Sequence, residues 1–396
     1  MMIPERPTLE RRVLAALDGS AGGGPRIPVL LGGCGSGRTS LLLRLRDLIG
    51  RAQAQYVDIE RIATTPERFL HALRESSPFP PVAGGTPPCA RDAFEAALAF
   101  VDTARAPGAA PATFLLDEFL ELRTFESFPG LRSVLRDLVG ALAGSGNRFV
   151  LTSRYAARAM RLLRDAPVAF EIIQVAPLTA AEVRATLPGV HGDDHVRGLT
   201  DRDDSEEAVE RQRDELARVV HALADGRPSY ARAIAETATA MSPRGDADPI
   251  SALAALLAPG GQLAHACRFC YELRLHRARG YGALKAILEV LAQQEPLTLT
   301  EIAQRLHRTP GSTKDYLSWL EDVDLIASHQ KRYSFADPML RLWVRLHCRA
   351  VPPADEDIGR EVHAYVQGRL PHAEPLMALS AAQVDREKNW GIIEID

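Results

Sequence analysis

The sequence predicts an α/β fold in which a parallel sheet, covered by helices on both faces, is followed by a helical lid and a smaller α+β domain. Short, continuously apolar strands alternate with helical stretches from residue 26 to residue 190. Such strands are typical of a parallel sheet that is buried on both faces. Beyond residue 262 the pattern changes to helix, turn, helix and two short strands. A chain of 396 residues is long enough for several domains.

The composition is that of an ordinary globular protein, with 46% hydrophobic and 25% charged residues. The formal net charge of −4 argues against a protein that coats nucleic acid, so any contact with DNA must be local. No apolar run is long enough for a membrane span, and residues 1–10 do not resemble a signal peptide. The five cysteines are scattered rather than arranged as a disulfide framework. These features predict a cytoplasmic protein without a membrane partner.

Apolar runs, glycines and prolines divide the chain into five predicted segments. They are an N-terminal segment (1–25), a sheet-containing domain (26–190), an acidic loop with a helical lid (191–258), a helix-turn-helix domain (262–350) and a tail (351–396). The predicted strands of the sheet are 27–31, 55–59, 113–116, 148–152 and 169–175.

The loop between the first strand and the next helix has the pattern of a phosphate-binding loop, G-x-x-x-x-G-[K/R]-[ST]. Glycines let backbone N–H groups converge on phosphate oxygens, and the helix N-terminus adds partial positive charge. Thr39 is placed to ligate Mg²⁺. The loop therefore predicts a P-loop NTPase domain with ATP and Mg²⁺ as ligands. The residues expected to bind the nucleotide are Gly32, Gly33, Cys34, Gly35, Ser36, Gly37, Arg38, Thr39 and Ser40.

Arg38 stands where the pattern usually has lysine. Lysine offers a compact charge to the phosphates, whereas arginine is longer, planar and suited to bidentate contacts. The positive charge is kept, so nucleotide binding is expected. Hydrolysis is expected to be slow, because it depends on how charge is placed at the transferring group.

A second motif follows at 112–118, where an apolar strand ends in Asp117 and Glu118. Taken alone, such a run is typical of a strand that enters a solvated turn. Its position after a phosphate-binding loop favours a Walker B motif instead. Asp117 would then hold Mg²⁺ through water, and Glu118 would orient and activate the attacking water as a catalytic residue.

The strand at 148–152 continues into Ser153 and Arg154, which is similar to the Thr-Thr-Arg sensor segment of STAND ATPases. Residues 225–230 resemble the Gly-x-Pro element of the STAND lid. The first resemblance implies that Arg154 contacts the γ-phosphate. The second implies that Pro228 packs near the adenine-ribose moiety.

Residues 284–346 resemble the C-terminal winged helix of archaeal-type ATPases in the AAA+/STAND class, most specifically at 332–343. With the phosphate loop and the two strand motifs, the resemblance covers residues 28–346. It implies an ATPase that associates with itself or with a protein partner. The Gly-Arg-Glu element that often precedes the phosphate loop in that family is lacking from the N-terminal segment.

The predicted winged helix is poorly equipped to read DNA. Lys314 is the only cation of residues 312–322, where it stands among acids. Lys331 and Arg332 in the predicted wing could meet phosphates. So could the stripe of Arg341, Arg345 and Arg349, although a solvated helix face is the simpler interpretation. Any DNA contact is expected to be weak, salt-sensitive and non-specific.

The sequence also contains several weaker signals. Cys267 and Cys270, with His265 and His276, resemble half a zinc site without its second half. His191 and His195 sit in an acidic loop. The position of Cys34 at a helix N-terminus favours a lowered pKa and sensitivity to oxidation, although a passive loop residue is simpler. Candidates for an arginine finger are Arg132 and Arg136. Residues 389–396 alternate apolar and polar, which favours either strand addition or docking on the protein itself.

The sequence thus predicts an ATP-binding NTPase that acts as a nucleotide-dependent conformational switch with slow hydrolysis. Two alternatives use the same features. One is a non-catalytic interaction scaffold with a degenerate nucleotide site, and the other is a DNA-binding regulator built on the winged helix.

Overall fold

The computed structural model describes most of the chain. The described residues are 5–19, 26–81, 85–164, 166, 170–187, 202–241, 247–276, 278 and 280–370, with the backbone alone for 202–209. The first part of the predicted acidic loop, including His191 and His195, lies outside them. So does the predicted alternating segment 389–396.

A five-stranded parallel sheet forms the centre of the first domain. Its strands are β1 (Ile27–Leu31), β2 (Ala54–Asp58), β3 (Thr113–Asp117), β4 (Arg148–Ser153) and β5 (Phe170–Gln174). They stand in the order β2-β3-β4-β1-β5, and all neighbouring pairs are parallel. The α/β prediction is therefore confirmed. Because parallel strands end at one edge of a sheet, the residues that follow β1, β3 and β4 meet there.

Alternate residues of the strands divide between two hydrophobic cores, as the two-residue period of a strand requires. Phe114 of β3 belongs to one core, where its ring stacks on Phe149 of β4 at a centroid distance of 5.7 Å. Its neighbour Leu115 belongs to the other core, with Leu30 of β1.

Helices cover both faces of this sheet. They are α1 (Pro7–Asp18), α2 (Arg38–Ile49), α3 (Ile59–Ile62), α4 (Pro66–Glu75), α5 (Ala90–Thr103), α6 (Val134–Gly144), α7 (Ala156–Leu163) and α8 (Ala180–Thr186), with short 3₁₀ segments at Pro107–Ala109 and Phe119–Ser127. Helix α1, from the predicted N-terminal segment, packs Val13 and Leu17 into the second core. Helix α1 is therefore packed as part of the sheet domain.

The remaining elements are helices and one small antiparallel sheet. They are α9 (Arg202–Ala224), α10 (Pro228–Met241), α11 (Pro249–Leu257), α12 (Gln262–His276), α13 (Tyr281–Gln293), β6 (Leu297–Thr298), α14 (Leu299–Arg305), α15 (Pro310–Asp322), β7 (Ile326–His329), β8 (Arg332–Phe335), α16 (Pro338–His347) and α17 (Asp355–Gln367). We call residues 247–370 the C-terminal unit. No single described helix is long and apolar enough to cross a membrane. Helices α11 and α12 together have the length and composition of a span, but they are bent by 51°.

The helix, turn, helix and hairpin of the C-terminal unit occur in the predicted order. Thr298 caps α14 in a capping box, in which its hydroxyl accepts from the backbone of Glu301 and the Glu301 carboxylate accepts from the backbone of Thr298. The three strands pair antiparallel in the order β6-β8-β7. Helix α17, within the predicted tail, is packed structure, because Ile358 and Val362 are buried.

Candidate nucleotide-binding site

The predicted phosphate-binding loop connects β1 to α2 at the carboxyl edge of the sheet. Gly35 and Gly37 have φ of +76° and +85°, a backbone region that side chains with a Cβ rarely adopt. Gly37 directly precedes α2, so the unpaired N–H groups of the first helical turn face the loop. Thr39 is exposed and Ser40 half-buried in this first turn. The loop therefore has the backbone shape of an anion-binding cradle.

Arg38 folds back over this loop. Its Nη1 donates to the Gly33 carbonyl at 2.7 Å and to Ser36 Oγ at 3.1 Å. Its Nη2 lies 2.5 Å from Glu118 Oε1 in a buried ion pair. The planar fork of arginine makes these contacts together, which a single ammonium group could not do in the same way.

Glu118 is the centre of a buried charge cluster. It is 5% exposed and has a φ of +56°, a strained conformation of the kind found at functional sites. Arg154 contacts the same carboxylate, with its Nε 3.2 Å from Oε1 and its backbone N–H donating to Oε2 at 3.0 Å. Burial alone would raise the pKa of Glu118, but the charges of Arg38 and Arg154 and their hydrogen bonds hold it below its ordinary value.

The Asp117 carboxylate accepts hydrogen bonds from three hydroxyl groups. Thr39 Oγ1 donates to its Oδ2 at 2.7 Å and Tyr56 donates to the same oxygen at 2.9 Å. Thr152 donates to Oδ1 and accepts from the backbone N–H of Glu118 at 3.0 Å. The oxygens of Thr39 and Asp117 are the hard ligands that Mg²⁺ prefers, and together they fit an ion that keeps several waters.

Two residues of this cluster have no motif in the sequence. Tyr56 lies on β2, beside β3, and its pKa is raised by burial and by Asp117, so it stays a hydrogen-bond donor. Glu60 forms an ion pair with Arg154. Its position in the sequence could have identified Glu60, because it follows β2 at the edge of the sheet where the site residues lie.

The segment between α9 and α10 packs against the phosphate loop. Arg227 donates from Nη1 to the Cys34 carbonyl at 2.9 Å and from Nη2 to the Ala336 carbonyl at 2.9 Å. A Cβ on Gly37 would lie 3.3 Å from Pro228 Cγ, so this proline packs against the loop. Arg227 thus joins the phosphate loop to the C-terminal unit. It lies between Gly226 and Pro228, at the position that the Gly-x-Pro pattern leaves open, so the pattern did not single it out.

A second connection runs through Arg274 of α12, which is 2% exposed. Its Nη2 donates to Cys34 Sγ at 3.1 Å and its Nη1 donates to the Asp324 carbonyl at 2.6 Å. The Asp324 carboxylate in turn accepts from the backbone N–H of Ala156 at 2.6 Å. Ala156 begins α7, two residues after Arg154. The phosphate loop, the C-terminal unit and the connection from β4 to α7 are therefore linked by one polar network.

Asp324 predicts how the stability of this network depends on pH. Burial raises the pKa of Asp324 from 3.8 to about 6, against the lowering effects of Arg274 and of backbone hydrogen bonds. The folded protein binds this proton more tightly than the unfolded chain, so stability should fall as pH rises between about 4 and about 6. Asp324→Asn should flatten this slope, by on the order of 2 kcal/mol across the window.

Urea unfolding of wild type and Asp324→Asn at several pH values from 4.5 to 7 would measure the effect. The exposed Asp355→Asn is the matched control and should keep the wild-type slope. Equal slopes for wild type and Asp324→Asn would contradict the assignment.

The arginine stripe predicted to meet phosphates is paired within the protein. The three ion pairs are Arg341–Glu295 at 3.3 Å, Arg345–Glu361 at 2.6 Å and Arg349–Glu361 at 2.9 Å. Binding DNA through the stripe would require breaking them, which argues against this role. In the predicted wing, Arg332 lies 3.7 Å from Glu301, while Lys331 sits at the turn between β7 and β8.

The cysteines and histidines that resemble half a zinc site do not form a metal site among the described residues. Among the described residues, no group of three or more His, Cys, Asp and Glu side chains is arranged to hold a metal ion. Cys270 instead contacts Cys34, and Cys267 is fully buried. Arg132 and Arg136 are exposed near the start of α6.

Comparison with known proteins identifies the fold. No family model matches the sequence, and neither does any curated protein sequence. A Walker-type ATPase of Pyrococcus abyssi superposes with a TM-score of 0.58 at 16% identity, over 87% of this chain and 96% of its own. Two weaker similarities are the ORC1 protein of Aeropyrum pernix in complex with DNA (TM-score 0.42, 18% identity, 96% and 95% coverage) and PCH-2 of C. elegans (0.34, 15%, 62% and 63%). The chain therefore has the fold of a Walker-type P-loop ATPase.

Proposed function

We propose that this protein binds ATP with Mg²⁺ and acts as a nucleotide-dependent conformational switch that hydrolyses ATP slowly. The observation that carries the proposal is the Arg38–Glu118–Arg154 cluster under a phosphate-binding loop that is tied to the C-terminal unit. The similarly folded protein of P. abyssi is a Walker-type ATPase, which supports nucleotide binding.

Each group of the site has a distinct role in this proposal. The N–H groups at the start of α2 and the guanidinium of Arg38 would bind the phosphates. Thr39 and Asp117 would hold Mg²⁺, which when bound neutralises phosphate charge. Arg154 would contact the γ-phosphate, and Glu118 would orient the attacking water.

Slow hydrolysis follows from the pairing of Glu118. A carboxylate held by two guanidinium groups has a lowered pKa and is a weak proton acceptor. The same pairing occupies the two cations that the phosphates need. ATP must therefore compete with Glu118 for Arg38 and Arg154, and the ion pairs rearrange when it binds.

Switching would use the two connections to the C-terminal unit. Arg227 contacts the phosphate loop and Ala336, and Arg274 contacts the loop and Asp324. A change in the loop backbone on binding phosphate alters both contacts. The protein would then act through the difference in conformation between its nucleotide-free and ATP-bound states, rather than through its rate of hydrolysis.

We propose a protein as the partner of the C-terminal unit, either another molecule or a second copy of this chain. Helix α15 offers only Lys314 to base edges, and the arginine stripe is already paired. DNA contact is proposed to be weak and non-specific at most. A reducing cytoplasm suits the five free cysteines.

Binding of labelled ATP in the presence and absence of Mg²⁺ tests the proposal. Wild type should bind saturably with Mg²⁺, and Thr39→Ala should bind at least about tenfold more weakly because a metal ligand is lost. Thr103→Ala, at the exposed end of α5, is the matched control and should bind as wild type does. Absence of saturable, Mg²⁺-dependent binding by wild type would favour the non-catalytic scaffold instead.

A further inference from the structure

Two cysteines far apart in the sequence meet at the phosphate loop. Cys34 lies in the loop and Cys270 lies on α12, and the Cys270 thiol donates to Cys34 Sγ at an S–S separation of 2.8 Å. Arg274, one turn further along the helix, donates to the same sulfur at 3.1 Å. Cys34 is half-buried and Cys270 is 7% exposed, so a small oxidant needs to reach only the outer sulfur.

The surroundings shift the pKa values of the two thiols in opposite directions. The hydrogen bond from Cys270 lowers the pKa of Cys34; burial opposes this, and the charges of Arg274, Arg154 and Arg38 reinforce it. The same hydrogen bond and burial raise the pKa of Cys270. The thiolate, which is the reactive form, is therefore favoured at Cys34, and the proton is favoured on Cys270.

The other cysteines do not share this environment. Cys267 is fully buried, and burial raises its pKa. Burial also raises the pKa of Cys348, which contacts Tyr271 rather than another thiol. Cys89 is exposed and hydrogen-bonds to Asp92 at a helix start.

We propose that Cys34 is an oxidation site for hydroperoxides and that Cys270 is its resolving cysteine, so that oxidation links the phosphate loop to α12 by a disulfide. The Cys34 thiolate attacks a peroxide oxygen, which gives a sulfenic acid at Cys34 and releases hydroxide. The Cys270 sulfur then attacks the Cys34 sulfur, its thiol proton leaves, and the sulfenic hydroxyl departs as water. The two thiols lose two electrons and two protons, and one hydrogen peroxide is reduced to two waters.

The consequence for the nucleotide rests on the proposed function. A bridge would tie the loop backbone at Cys34 covalently to the C-terminal unit, whereas Arg227 and Arg274 hold it there only by breakable hydrogen bonds. The loop could then no longer change its shape around phosphate independently of α12. Oxidation should weaken ATP binding by at least about tenfold, and reduction should restore it.

Mapping of the bridge tests the chemistry without any use of ATP. Reduced wild-type protein is treated with hydrogen peroxide, blocked with N-ethylmaleimide and digested with trypsin. Cleavage after arginine separates Cys267 from Cys270, because Arg268 lies between them. We expect peptide 27–38 linked to peptide 269–274, and the link should disappear with dithiothreitol. Absence of any link, or a link from 27–38 to the Cys267 peptide 245–268, would overturn the assignment.

One variant separates the two chemical steps, and a second variant is its control. Cys270→Ser should form no link, and dimedone should capture the sulfenic acid on peptide 27–38. Failure of dimedone to label that peptide would overturn the role of Cys34 as the attacking thiolate. Cys89→Ser is the matched control and should form the same link as wild type.

ATP binding is then measured on reduced, oxidised and re-reduced wild type. Reversible weakening supports the proposal, and unchanged affinity of the linked protein would overturn its regulatory consequence. Reduced protein that binds no ATP would instead contradict the proposed function, while the peptide map would still decide the disulfide.

Discussion

Arg38→Lys is expected to raise the rate of ATP hydrolysis on the order of 10²–10³-fold, by analogy with other groups that stabilise charge in a transition state. The arginine fork divides its contacts between the loop (Gly33 and Ser36) and Glu118. A lysine ammonium is compact and would place its charge on the phosphates alone. Glu118 would then lose one of its two guanidinium partners, and its pKa would rise toward its ordinary value, which makes it a better proton acceptor.

Single-turnover hydrolysis of labelled ATP would measure this effect separately from product release. Arg46→Lys is the matched control, because Arg46 lies on the same helix and pairs with the exposed Asp47 at 3.3 Å. Its rate should equal that of wild type. An unchanged or lower rate for Arg38→Lys would mean that arginine is the fully functional residue in this geometry.

Glu118→Gln is expected to separate binding from hydrolysis. Hydrolysis should fall at least about 10²-fold, because an amide cannot accept the proton of the attacking water. ATP affinity should rise by about tenfold, or about 1.4 kcal/mol, because the phosphates no longer compete with the Glu118 carboxylate for Arg38 and Arg154. The fold should be kept, since the amide oxygen can still accept from the Arg154 backbone N–H.

Equilibrium binding and hydrolysis on the same preparation would test both parts. Glu126→Gln is the matched control, since Glu126 pairs at 3.3 Å with Arg123 and contacts none of the site residues described above. A fall in affinity for Glu118→Gln would show that the ion pairs support binding rather than compete with it. Undiminished hydrolysis would remove Glu118 from the catalytic step.

The sequence by itself determined the strands of the sheet and the edge at which the candidate site residues lie. Continuous apolar runs identified all five strands, because a parallel sheet buried on both faces needs such runs. The phosphate-loop and Walker B patterns then assigned Mg²⁺ to both Thr39 and Asp117. The structure places these two side chains 2.7 Å apart.

Only the tertiary structure decided which distant residues complete the site. Arg274 lies on a helix of another unit, where an arginine usually faces solvent, and nothing local marks it as buried against Cys34. The pairing of Cys34 with Cys270 has the same origin. The arginine stripe shows the converse. Its regular spacing was visible in the sequence, but the Glu361 that pairs with Arg345 and Arg349 belongs to α17. Local pattern fixes which side chains share a face of an element, whereas the packing of one element on another decides what that face meets.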